Sequence, residues 1–141
     1  MRKPIIAGNW KMNKSISEAV ELAGQVRNKT STVADREIVL CPPFTALYSV
    51  KEVLEDSSIK LGAQNMHWEI CGAYTGEVSP TMLKDVGCSY VILGHSERRQ
   101  YFGETDSMVR KKVKIAFSAG LVPIVCVGET LPEREKRETL R

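Results

Sequence analysis

The chain has 141 residues, 43% of them hydrophobic and 26% charged, which fits a single soluble globular domain over residues 1–141. A formal net charge of +3 is too small to argue for nucleic acid or a membrane surface. No run approaches the ~18 apolar residues of a membrane span, and the first apolar stretch breaks at Gly8 and Asn9, too early for a secretory leader.

Five short β-branched runs alternate with helical patterns. PIIAGNW (4–10) reads as the first strand. Ser15 and Glu18 then stand in capping-box spacing, and Ala19, Leu22, Ala23 and Val26 follow at i, i+3, i+4, i+7, one face of a helix. EIVLCP (37–42) is a second strand, and Leu47, Val50 and Leu54 mark a second helix. IKLGA (59–63) is a third strand, followed by an irregular stretch, 64–77, too long to be a mere connector. Ser79-Pro80 opens a helix that ends near Gly87. SYVILG (89–94) makes a fourth strand, SERRQYF a helical turn, and Thr105 to Gly120 bound a longer helix. LVPIVCVG (121–128) is a fifth strand, and Thr130-x-x-Glu133 starts a last helix. There Glu133 with Arg137, and Arg134 with Glu138, have the spacing of a solvated helix face.

These strands are nearly continuous apolar runs, the mark of a parallel sheet covered on both faces, so the chain is α/β. Two architectures fit. A five-stranded doubly wound, flavodoxin-like sheet suits the length and would have strand order 2-1-3-4-5; a barrel would keep 1-2-3-4-5. Four cysteines (Cys41, Cys71, Cys88, Cys126) form no CxxC pair, and three lie in or beside apolar runs, which predicts reduced, buried thiols of a cytoplasmic protein.

Polar residues gather after the strands: Asn9 and Lys11, Gln64 and Asn65, His95 and Glu97, and Glu129. In a parallel α/β architecture that edge binds ligands. A ring at a helix N-terminus feels the positive end of the dipole, which disfavours imidazolium. A neutral His95 could then donate to a substrate oxygen gaining charge; it reads equally as a capping histidine. Asn9 is either a second donor or a turn residue, and Lys11 a phosphate or carboxylate ligand or a solvated cation. Glu97 has the spacing of a capping acid, with Ser96 as the N-cap or its neighbour; Arg98 and Arg99 are solvated or paired across an interface. Trp10, Met12 and Trp68 are expected to pack. Dinucleotide and P-loop motifs are absent, and two histidines give no metal-ligand spacing, so the chemistry would use side chains without cofactor or metal.

Four blocks in order, AGNWKMN (7–13), QNMHWEICGAYTGEVSP (64–80), YVILGHSERRQYFGET (90–105) and PIVCVGET (123–130), together resemble the triosephosphate isomerase family. The resemblance implies a (β/α)8 barrel that interconverts dihydroxyacetone phosphate and glyceraldehyde 3-phosphate through an enediolate, in glycolysis and gluconeogenesis, without cofactor. It implies Lys11 and Asn9 as substrate-binding residues and His95 as the neutral electrophile. Glu97 would support this constellation near Lys11, Ser96 would belong to the same turn as His95, and Cys126 would pack. It implies a cytoplasmic homodimer, with Thr75 and Gly76 at the tip of a loop that reaches the other subunit. A barrel of that kind needs about 250 residues, so 141 supply roughly four and a half βα units. The strand with the family's catalytic glutamate, the lid loop and the glycine-rich phosphate loops would lie outside them. The expectation is a partial barrel, strands in order 1-2-3-4-5, with exposed edges and little activity alone. A non-catalytic interaction module that keeps the dimer loop is the remaining alternative.

Overall fold

The computed structural model describes residues 3–137. Its elements run β1 (Ile5–Asn9), α1 (Ile16–Lys29), β2 (Glu37–Cys41), α2 (Leu47–Val53), β3 (Lys60–Ala63), α3 (Pro80–Asp85), β4 (Tyr90–Leu93), α4 (Ser96–Phe102), α5 (Asp106–Ser118), β5 (Val122–Val125) and α6 (Leu131–Glu135), with a 3₁₀ turn, Phe44–Ala46, before α2. All strand pairs are parallel, in the order β1-β2-β3-β4-β5. That order removes the doubly wound alternative, and the sheet curls as part of a barrel. Among the described residues no helix is long and apolar enough to cross a membrane.

The helix signals were local and they hold. Ser15 caps α1 in a complete capping box with Glu18. Ser79 caps α3 with Pro80 behind it, and Thr105 accepts from the Met108 amide at the start of α5. Thr130 and Glu133 form a second capping box. The expected Glu133–Arg137 helical pair does not form, because α6 stops at Glu135 and Arg137 turns left-handed (φ 56°). The Glu133 carboxylate instead accepts from the Thr130 amide at 2.6 Å. Arg134 faces Glu129 at 3.8 Å, and its expected partner Glu138 lies outside the described residues.

The strand pleat separates two apolar layers. Leu40, Leu61, Ala63, Val91 and Leu93 face the helices and pack on Ala19, Ala23, Leu47, Val50, Leu83, Val109 and Ala116. Each large side chain fully buried there contributes about 1.5–3 kcal/mol. Val39, Cys41, Tyr90 and Ile92 face the concave side, with Ile124 and Cys126 against them. Gly62 sits where this inner face is tightest: a Cβ there would lie 2.6 Å from Cys41 Sγ and 3.0 Å from Val39 Cγ1. Burial pushes the Cys41 and Cys88 thiols up to about 12, so both are inert packing groups. Cys71 is exposed, unlike the other three, and Met12, expected to pack, is 96% exposed. Met12 belongs to the bend between β1 and α1, outside both elements.

Candidate active site

The tips of β1, β3 and β4 meet on one edge. At β1 the chain turns sharply, and Lys11 takes a left-handed backbone (φ 54°). A non-glycine residue there costs about 1–2 kcal/mol, so its surroundings must hold it. Both of its peptide groups are held by side chains. The Lys11 amide donates to Asn9 Oδ1 at 2.9 Å, and Gln64 Nε2 donates to the Lys11 carbonyl at 2.9 Å. Gln64 also donates to the Cys41 carbonyl at 2.9 Å, tying three strand tips together.

The ammonium of Lys11 reaches across to the first turn of α4 and donates to Glu97 Oε1 at 2.7 Å, with both side chains about half exposed. That hydrogen bond, together with the lysine's charge, holds the Glu97 carboxyl below the ordinary glutamate value, burial opposing. Glu97 therefore does more than cap a helix: it positions a cation that belongs to another strand.

His95 itself is the N-cap of α4, and Ser96 is the first helical residue. His95 Nδ1 accepts from the Glu97 amide at 3.2 Å. The Glu97 carboxylate lies 3.5 Å from the same nitrogen and would favour a proton there. The amide decides: it needs a lone pair, whereas the carboxylate already has Lys11. With Nδ1 accepting from that amide, Nε2 is left as the ring's hydrogen-bond donor.

Asn9, Lys11, His95 and Glu97 thus form one connected group, with Ser96 beside it as the first residue of α4. Thr75 and Gly76 do not join it; they are exposed in the 64–79 loop, and open space surrounds Gly76. Arg98 and Arg99, expected to be solvated or paired across an interface, both have neighbours of opposite charge within the chain. Arg98 stacks on Phe102 and approaches Glu104 at 3.6 Å, while Arg99 bonds the Gly94 carbonyl and Asp106. Trp10 packs against the core, and Trp68 lies under the Lys111 ammonium.

Sequence reasoning missed two features. One is the pair of hydrogen bonds that Gln64 Nε2 donates to the Lys11 and Cys41 carbonyls, for which nothing local gives a sign. The other is a buried ion pair, Glu104 with Lys112. A sign of it existed: Lys112 falls within the buried stripe of Val109, Val113 and Ala116, where a lysine needs a partner.

A curled parallel sheet whose donors and cations collect at the C-terminal strand ends defines a barrel-type α/β protein, a class whose ligands bind at that edge. The family model described as triosephosphate isomerase matches residues 4–141. Triosephosphate isomerases of Alkaliphilus metalliredigens and Trichodesmium erythraeum are 59% and 61% identical over 139 and 140 residues. Each alignment covers 99% of this chain, but 56% and 58% of the relative. The crystal structure of the Bartonella henselae triosephosphate isomerase superposes with a TM-score of 0.93 at 44% identity, covering 99% of this chain and 57% of that one. The chain belongs to the triosephosphate isomerase family, and it spans a little over half the length of the relatives it matches.

Proposed function

We propose that the strand-tip group serves the interconversion of dihydroxyacetone phosphate and glyceraldehyde 3-phosphate, a step of glycolysis and gluconeogenesis in the cytoplasm. The observation that carries this reading is the amide bond to His95 Nδ1, which leaves Nε2–H to donate. Removing a proton alpha to a carbonyl places negative charge on the carbonyl oxygen. A fixed neutral donor and a nearby ammonium stabilise that charge without taking up the proton as a free acid would. His95 polarises the carbonyl, Lys11 attracts the phosphate and the growing charge, and the Asn9 amide NH₂ donates beside it. Glu97 holds Lys11 in place, and Ser96 starts the turn that presents the ring. The family is itself the standard case of a neutral catalytic imidazole at a helix N-terminus, so this assignment leans on the family rather than standing apart from it. A homodimer, with the Thr75–Gly76 loop tip against the partner, belongs to the same reading.

The base that takes the carbon-bound proton has no candidate at this edge among the described residues: Glu97 is engaged by Lys11, and Glu129 faces Arg134. The 141-residue chain alone is therefore expected to turn over at least about a hundredfold more slowly than a full-length relative. The test has two arms. A coupled assay of purified chain with both triose phosphates measures turnover, and near-normal kcat would overturn the low-activity expectation. Titration with 2-phosphoglycolate, followed by NMR of the His95 ring and the Lys11 side chain, reads the site. Both are expected to respond weakly, with the response lost in Lys11→Met. Silence of both resonances at saturating ligand would overturn the site assignment.

A further inference from the structure

Directly behind His95 stands a residue whose two peptide groups are both held by buried or half-buried charges. Gly94 has φ +69°. Its amide donates to Glu104 Oε2 at 3.1 Å, and its carbonyl accepts from Arg99 Nε at 2.8 Å. A Cβ at this position would meet Arg99 Nη2 at 2.9 Å and Val109 Cγ2 at 3.0 Å, so the two grips close around a bare backbone.

Neither grip is loose. The second oxygen of Glu104 is bonded to the Lys112 ammonium. That ammonium also donates to Asn65 Oδ1 at 2.8 Å. Glu104, Lys112 and Asn65 are 4%, 3% and 5% exposed. Arg99 is anchored in turn by Asp106 at 2.6 Å. The turn before His95 is thereby bolted to α5 at two points, and through Asn65 to the chain leaving β3.

A buried lysine–glutamate pair is poor value as a stabiliser, since desolvating two charges offsets most of their attraction. An apolar pair of similar volume would serve the core as well. What an apolar pair cannot do is accept from the Gly94 amide. We infer that Glu104, locked by Lys112 and Asn65, is a positioning residue for His95: it fixes the Gly94 peptide, and with it the direction in which the imidazole leaves the sheet. Its importance for catalysis rests on the functional reading above; its effect on ring geometry does not.

Two double variants of the 141-residue chain separate the hydrogen bond from the packing, with NMR as the readout. Glu104→Gln with Lys112→Met removes both charges but keeps an acceptor for Gly94. Glu104→Leu with Lys112→Met removes the acceptor as well. In the first, the Gly94 amide is expected to stay protected, and the His95 ring nitrogens to keep the shifts of the Nε2–H form. In the second, Gly94 is expected to exchange at least about tenfold faster, and the ring shifts to move toward a mixture of tautomers, while β1 to β3 keep their protection. Unchanged ring shifts in the second variant, or equal loss of protection in every strand, overturn the inference. If that variant fails to fold, Arg99→Met cuts the other grip from a half-exposed position. The same ring resonances should move there, and their constancy overturns the inference equally. None of these measurements needs turnover or bound phosphate, so failure of the phosphoglycolate titration remains a separate result.

Discussion

Lys11 shows what a single residue can carry at this edge. Its backbone sits in a region that L-residues avoid, and two amide side chains, Asn9 and Gln64, restrain it. The outcome is an ammonium aimed across the strand tips at Glu97. Because that carboxyl titrates below its ordinary value of 4.5, the contact is present above the unfolded value and is lost as pH falls through the lower folded one. A carboxyl ¹³C titration should place the Glu97 midpoint below 4.5, and Lys11→Met should raise it. A midpoint that ignores the substitution would mean that Lys11 does not hold Glu97 in solution. The exposed geometry makes this contact a small contributor to stability; its consequence is orientation.

At the scale of elements, the inner face of the sheet is where packing is least forgiving. β3 is short and lies between β2 and β4, and Gly62 leaves room for Cys41 and Val39. Gly62→Ala is expected to destabilise the chain by about 1–3 kcal/mol, because the added methyl meets two side chains of a closely packed layer. Urea unfolding followed by circular dichroism would show it as a lowered midpoint at constant slope; an unchanged midpoint would mean that the layer yields cheaply. The helices follow simpler rules. Ser15, Ser79, Thr105 and Thr130 each accept from the amide three residues on, since that bond needs only local chain geometry.

At the scale of the molecule, the open sheet sets the behaviour of the isolated chain. β1 and β5 are the sheet edges, and Ile5, Ile6, Val122 and Val125 are 48%, 52%, 47% and 41% exposed. Such edges offer unpaired backbone beside apolar side chains and invite strand pairing between copies. The chain is expected to self-associate as its concentration rises, and Ile6→Lys with Val125→Lys to suppress this, as sedimentation velocity would record. Association that persists unaltered in the double variant would point away from the sheet edges.

Much of this was legible before any coordinates. Apolar runs of four to six residues, separated by capped amphipathic stretches, specify parallel βα units because hydrogen bonding and burial repeat at short range. The motif words placed Asn9, Lys11, His95 and Glu97 on the strand tips for the same reason. The sequence could not rank barrel order against doubly wound order from its residues alone. Strand neighbours are chosen by long-range packing, and both orders use the same local elements. Spacing alone could not pair Lys11 with Glu97, 86 positions away, which only the family resemblance set near each other, nor Lys112 with Asn65 and Glu104. Those contacts exist only once the sheet has curled and brought distant strand tips together. Local chemistry wrote the parts of this site, and tertiary closure alone decided which part touches which.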